Sequence, residues 1–576
     1  MAVYASWPNP TGPIQTLSQT VGIPMVAAAL LVHRGIETPE MARRFLMGQI
    51  TDLSDPYDLA GLPRAVDRLA DAVMAEKRIV IHGDYDVDGI SGSAVLLRIL
   101  QALGANATHY LPHRLRDGYG LTRVGLDRIK AAGGEFIATV DCGSGSVDAL
   151  RYARDELALG IIATDHHLMA ERPTPDFDVV SPQLDGRFTE LSGAGVAFKV
   201  GMALLERLGY DPVAAYEHLD LAVLGEVADV VPLIGESRIV VKEGLARLNR
   251  TRKPGLRALI ARARLEMGHV TETDIAFSLA PLLNAAGRMA DPHYALDLLL
   301  TDDEGQAQVL AHQLWGWNES RKAATAAALD RAEALLDANP HWLEEPVLVV
   351  ADDQCPLGIA GLVAAQLSER WQKPAIALAW HEGSWKGSAR STEALHLGDA
   401  LAKVRKHLIK FGGHAKAAGL EVADEEVDAL RDALAKVAAS TPAAADTSSR
   451  FFDGIMPLSA VAHPDMQWAL QRLSPFGEGN APPLMLIRDC EALEVRQTGT
   501  GGRVTLCTLR QGDTTVKAIG NRLATPMRSG PMAGIMGIPQ LHRFRGETSM
   551  QIRIVDAFHT TQDLIAHVQP STARPA

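Results

Sequence analysis

Cysteine is scarce: four residues, Cys142, Cys355, Cys490 and Cys507, are scattered through 576 positions and none forms a CxxC pair. That pattern argues against a structural zinc site and a disulfide-stapled scaffold, and it fits a reducing, cytoplasmic compartment. Aromatic residues make up only 5% of the chain, so it offers few stacking platforms. The most apolar early stretch, 21–32, is too short to cross a bilayer and contains Pro24; it reads as a buried helix, and no membrane partner is expected. The opening MAVYASWPNP has no basic segment followed by an apolar core, so no secretory signal is expected. No GxxxxGK[ST], GxSxG or HExxH motif occurs, which removes the commonest phosphate-loop, serine-nucleophile and zincin chemistries. The formal net charge of −13 excludes a bulk polycation, although a local basic groove is enough for a nucleic-acid substrate.

What remains is an ordinary folded composition, 47% hydrophobic and 22% charged, long enough for about three or four domains. Residues 1–75 read as a helical lead-in. Over 76–235, short apolar runs (78–82, 108–111, 136–140, 160–164, 178–180) alternate with helical stretches (93–103, 124–132, 147–156), which predicts a mostly parallel sheet covered on both faces. A helical connector follows over 236–345. Its segment 242–264 carries eight Lys or Arg against the single acid Glu243, readable as a solvated face or as a strand-binding surface. A second, smaller α/β domain spans 346–437, a small-residue linker 438–450, and a strand-rich segment 451–562 that reads as an antiparallel barrel. A tail occupies 563–576.

The chemistry-bearing residues gather at predicted strand ends. HGDYDVDG at 82–89 places Asp84, Asp86 and Asp88 alternately after a buried strand. In extended chain they share one side, and such crowding is costly unless a cation neutralises it. The alternative is an acidic loop that caps the next helix. The 136–140 strand ends in Asp141, and the 160–164 strand in Asp165-His166-His167. Parallel strands deliver these ends to one sheet edge, where ligands bind. Asp229, in GEVADVVPL, can close a metal site or be a hydrogen-bonded structural acid. An oxygen-rich set with imidazole and no thiolate suits Mn²⁺ or Mg²⁺, and its size suits two ions acting on a phosphoryl group. Phosphate handling is suggested by NAAGR (Asn284 to Arg288), by KGSAR, read as a loop with Ser388 and Arg390, and by FGGHAKAAG, with Gly413 and His414.

Together DYDVDG, VDCG, DHH, ADVVPL, NAAGR and GGHAKAAG resemble the DHH phosphoesterase family, and within it the bacterial single-strand-specific DNA exonucleases, over roughly residues 45–560. PFGEGN at 475–480 is a further mark of that branch. The resemblance implies a parallel-sheet DHH domain joined by helices to a smaller α/β DHH-associated domain, followed by an OB-like β-barrel. It implies metal ligands Asp84, Asp86, Asp141, His166 and Asp229, with Asp88 and His82 as further ligands or supports and His167 as a substrate-facing group. Arg114, Arg288, Ser388 and Arg390 would hold a terminal 5′-phosphate, and His414 a phosphate at or beside the scissile bond. The implied reaction is 5′→3′ hydrolysis of single-stranded DNA to 5′-mononucleotides in recombination and repair. The implied partners are a single-strand-binding protein and a RecQ-type helicase; a monomer is expected. The competing readings are a short-oligonucleotide nuclease, a cyclic-dinucleotide hydrolase, a manganese pyrophosphatase and a catalytically dead scaffold.

Overall fold

The structure is a computed structural model and describes residues 3–7, 11–114, 116–118, 120–169, 176–391, 395–440, 450–499, 504–544 and 547–569. Two compact units form: residues 54–229 with 243–445, and residues 1–53 with 230–242 and 446–576.

The first unit begins with a five-stranded, wholly parallel sheet in the order Ala107–Tyr110, Ile79–Gly83, Phe136–Val140, Gly160–Thr164, Val179–Val180. The central strands are buried on both faces, which is why they read as unbroken apolar runs rather than as alternation. One face is covered by the helices Arg123–Ala131 and Val147–Arg151, whose Leu126, Ile129 and Leu150 pack on Val80, Ile137 and Ile161. The helix Val87–Ala102 covers the first strand and packs against the helices Gly193–Arg207 and Leu219–Ala228. The predicted helix 93–103 therefore begins six residues earlier, directly out of the acidic motif.

A 35-residue helix, Glu304–Ala338, about 52 Å long, leads to the second sheet of this unit. It packs on the helices Pro254–Arg262 and Ala280–Met289 and then on the strand Leu348–Asp352 and the helix Ala360–Trp371. That sheet runs Lys410–Gly413, Ala417–Val422, Ser384–Arg390, Ala375–His381, Leu348–Asp352, parallel only in its last pair. Part of the basic 242–264 segment is structural: Lys253 Nζ bonds the buried Asp220 at 2.7 Å, and Arg262 stacks on Trp315.

In the other unit, Met485–Thr498, Val504–Gln511, Thr514–Asn521, Glu547–Phe558 and Gly530–Phe544 close into a five-stranded barrel through pairing of the first with the last. The barrel is not wholly antiparallel, because Thr514–Asn521 and Glu547–Phe558 run parallel. The N-terminal segment belongs to this unit. Strand Tyr4–Ser6 lies between Arg450–Phe452 and Val568–Gln569, and the helices Thr11–Val21, Met25–His33 and Pro39–Met47 share a core with the helix Pro464–Leu473. The 21–32 stretch is not one helix: a helix ends at Val21 and the next starts after Pro24. Residues 441–449 of the expected linker and 570–576 of the expected tail lie outside the described residues, as do Leu115 and Tyr119 of HRLRDGYG.

Candidate metal and phosphate site

Each carboxylate arrives by its own local logic. Asp84 follows the Ile79–Gly83 strand. Asp86 is the N-cap of the helix Val87–Ala102, its Oδ1 accepting from the N–H of Asp88 at 3.1 Å and of Gly89 at 3.3 Å. Asp88 lies in the first helical turn, so the three acids do not share one side of an extended chain, and Asp86 both caps the helix through Oδ1 and belongs to a donor set with Asp84 and Asp141. Asp88 accepts the Gly193 N–H at 2.6 Å and the Ala194 N–H at 2.8 Å, which pins the N-terminus of the Gly193–Arg207 helix to the motif. Asp141 leaves its strand in the left-handed region, with φ 62°. Gly193 faces it so closely that a Cβ would stand 2.5 Å from the Asp141 Cβ. Asp229 caps the C-terminus of the helix Leu219–Ala228.

These groups converge. His166 Nε2 lies 3.2 Å from Asp141 Oδ1, 3.4 Å from Asp229 Oδ2 and 3.7 Å from Asp88 Oδ2. Three donor sets each bring their ligand atoms within 4.8 Å: Asp84 with Asp86 and Asp141, Asp141 with His166 and His167, and Asp88 with His166 and Asp229. Among the described residues, Asp84 Oδ1, Asp141 Oδ1 and His166 Nε2 are buried yet make no hydrogen bond, although His166 Nε2 and Asp141 Oδ1 stand at ion-pair distance. Burial, with the neighbouring acids, pushes Asp84 and Asp141 well above the usual carboxylate range and Asp229 to about 8. Burial lowers His166. Crowded, buried carboxyls that resist ionising without a counter-charge, beside a neutral-leaning imidazole, are a set that a hard divalent cation would neutralise. The residues fit one or two such ions.

Asp165 was absent from the expected set, yet it organises the edge. Its Oδ2 accepts from the Ser144 N–H and Oγ–H, and its Oδ1 from the backbone N–H of His166 and His167. It also holds His167 Nδ1 at 2.8 Å. Burial opposes ionisation of both partners, but their hydrogen bond and mutual attraction hold Asp165 down at about 2 and His167 up at about 9. The signal was its place in DHH, directly after a strand. His82 is buried behind the edge, its Nδ1 3.6 Å from Cys142 Sγ, and burial depresses it to about 4.

A cluster of arginines lies in the same unit. Arg288 is pushed down to about 10 by burial and then by Arg114, Arg321 and Arg390, all close enough to repel it. Arg114 covers the Tyr85 ring at 4.3 Å. KGSAR is not a loop but part of the strand Ser384–Arg390, whose two-residue period puts Ser388 and Arg390 on one face. The start of the helix Ala360–Trp371 lies close against them at Gly361, where a Cβ would stand 2.9 Å from Arg390 Nη2 and 3.4 Å from Ser388 Oγ. Arg321, on the long helix, was not singled out from sequence. Among the described residues its Nε and that of Arg114 are buried and make no hydrogen bond. The missing signal was spatial, since the long helix brings Arg321 to NAAGR from 33 positions downstream of Arg288.

Asn284, on the helix Ala280–Met289, accepts the Val87 N–H at 3.2 Å and so ties NAAGR to the acidic motif. Gly413 and His414 stand exposed at a hairpin turn. The backbone of His414 bonds Ala417 and Gly398, and no hydrogen bond among the described residues joins its side chain to the carboxylates.

Comparison with known proteins agrees with this architecture. The models of the DHH family N-terminal domain, the DHHA1 domain and the RecJ OB domain match residues 78–225, 344–440 and 452–556. The single-stranded-DNA-specific exonuclease RecJ of Bacillus subtilis is 34% identical over 560 residues, 94% of this chain and 69% of that protein. Two solved structures of RecJ from Thermus thermophilus are similar. The Mn²⁺ complex has a TM-score of 0.81 at 30% identity, covering 96% of this chain and 79% of that one. The Mg²⁺ complex has 0.77 at 28%, covering 99% and 79%. On this identity, coverage and shared three-domain content, the chain belongs to the RecJ family of single-stranded-DNA-specific exonucleases.

Proposed function

We propose that this chain degrades single-stranded DNA from its 5′ end, releasing 5′-mononucleotides with the help of two Mn²⁺ or Mg²⁺ ions. The observation that carries the reading is the trio of buried, crowded atoms with no hydrogen bond among the described residues, Asp84 Oδ1, Asp141 Oδ1 and His166 Nε2, in the same unit as Arg288 and the arginines that repel it. Asp84, Asp86, Asp141, His166 and Asp229 would hold the ions, with Asp88 fixing the helix behind them. Bound there, the ions would activate water and neutralise charge at the scissile phosphate.

The remaining work falls to side chains. Arg114, Arg288, Arg321, Arg390 and Ser388 bind the terminal phosphate, and guanidinium forks suit its oxygens better than ammonium groups do. His167, kept protonated by Asp165, presents a positive imidazolium toward the phosphoryl oxygens. Asn284 keeps the phosphate-binding helix in register with the acidic motif. His414 approaches a phosphate from the second sheet. We further propose that the enzyme acts in DNA recombination and repair in the cytoplasm, as a monomer alongside a single-strand-binding protein and a RecQ-type helicase.

The test offers a 5′-phosphorylated single strand, its 5′-hydroxyl counterpart, a blunt duplex, a cyclic dinucleotide and pyrophosphate. Preference for the phosphorylated single strand is expected. Hydrolysis of the cyclic dinucleotide or pyrophosphate instead would keep the metal centre and refute the strand reading.

A further inference from the structure

Phe277 is 80% exposed, the most exposed large apolar side chain among the described residues, in a chain with few aromatics. Its position has a local cause. Pro281, four residues on, has no N–H for the Phe277 carbonyl, and its ring crowds that carbonyl in a regular α-helix. The chain answers with a wide turn over Ile275–Leu279, closed by the Ala280 N–H on the Ile275 carbonyl, before the helix Ala280–Met289 resumes. Wide turns of this kind are frequent at functional sites. This one packs against the helix Leu219–Ala228, which ends in Asp229.

At about 100° per residue, Phe277, Asn284 and Arg288 fall within roughly 60° of one another on the helical surface, the wide turn allowed for. Asn284 touches the start of the Val87–Ala102 helix, and Arg288 belongs to the arginine cluster. The face carrying Phe277 is thus continuous with the face that meets the metal and phosphate groups. Phe277 stands about 16 Å from Arg288 along the axis, a few nucleotides from a terminal phosphate held there.

We infer that Phe277 is a stacking platform for a nucleobase of the strand on the far side of the metal centre from its 5′ end. The inference rests on the strand-degrading reading. An exposed ring at this place costs stability nothing to remove, and stacking accepts any base, as a non-selective exonuclease requires.

Binding of a long 5′-phosphorylated single strand in EDTA tests it, with wild type, Phe277→Ala and Phe277→Trp. The alanine variant should bind about ten-fold more weakly, with the same dependence of affinity on salt as wild type, because no phosphate contact is lost. The tryptophan variant should restore affinity, and its added emission, read as the difference from wild type, should be quenched by the strand. Unchanged affinity in the alanine variant, a shallower salt dependence, or an unquenched tryptophan would overturn the inference. Wild type that degrades single strands while Phe277→Ala binds them normally would sink this inference alone; wild type that leaves single strands intact would sink the reading beneath it.

Discussion

The Asn284 side-chain oxygen accepts the Val87 backbone N–H at 3.2 Å, across 197 positions of sequence. It does so at the first turn of the helix that Asp86 caps. One hydrogen bond therefore joins the acidic motif to the helix bearing Arg288. Asn284→Ala should leave an N–H of that first turn without its partner, costing about 1 kcal/mol. Turnover should fall more than this cost suggests, by about ten-fold or more, because the phosphate and the carboxylates lose their common register. Steady-state kinetics beside Mn²⁺ binding check this: weakened turnover with intact metal binding is expected, and unchanged turnover would remove Asn284 from the account.

Replacing Asp141 with Asn or His166 with Ala should lower cleavage by more than about 100-fold, beyond the loss that follows removal of an outer partner of a metal ligand. Single-strand binding should largely survive, since the arginine pocket is untouched. Electron paramagnetic resonance counting of bound Mn²⁺ should show a loss of ions in either variant. A variant that cleaves normally would show the metal assignment to be wrong.

The arginine cluster makes a separate forecast. Arg288→Ala and Arg321→Ala should each cut the preference for a 5′-phosphate over a 5′-hydroxyl by about ten-fold or more, the scale of one charge-assisted hydrogen bond. The ratio of kcat/KM on the two strand ends measures it. A wild-type enzyme indifferent to the terminal phosphate would refute the pocket.

Stability of the metal-free protein should depend on pH in an unusual direction. Asp229 sits at about 8; Asp84 is raised by burial and then by Asp86, and Asp141 by burial and then by Asp88 and Asp86. A carboxyl held above its unfolded value of about 4 favours the fold while protonated. That advantage is lost as pH climbs through the folded value. EDTA-treated protein should therefore melt at progressively lower temperature between about pH 5 and pH 9. Added Mn²⁺ should raise the midpoint most at the alkaline end, where protons no longer compete for the ligands. A metal effect equal at all pH values in differential scanning calorimetry would contradict the buried cluster.

Much of this site is legible in the sequence. The 136–140 and 160–164 strands are read to the residue, because a parallel strand buried on both faces is an unbroken apolar run. Their C-terminal ends share one edge by topology alone, so Asp141 and His166 meet as expected. The errors fall where tertiary contacts decide. Ser388 and Arg390 sit on a strand formed by pairing with other segments, and Arg321 arrives on a long helix. The N-terminal lead-in shows the same limit. Tyr4 donates its hydroxyl to Asp556 at 2.7 Å, a pairing that no local pattern encodes.

That last pairing alters how truncations behave. Removing everything after residue 445 takes away the partners of Tyr4, Leu17, Leu30 and Leu31, all buried in one unit with the C-terminal segment. Such a deletion should expose apolar surface and aggregate. Deleting residues 1–53 along with it should recover soluble protein. Size-exclusion chromatography separates the two outcomes, and a soluble, monodisperse single truncation would show that the N-terminal helices fold without the barrel.

The most direct test of the central claim follows a single-stranded oligonucleotide labelled at either end, with Mn²⁺ and then with EDTA, beside a duplex of the same sequence. The account predicts early release of a labelled mononucleotide from the 5′ end only, lost in EDTA and absent on the duplex. Mononucleotide released first from the 3′ end, or release that persists in EDTA, would contradict it.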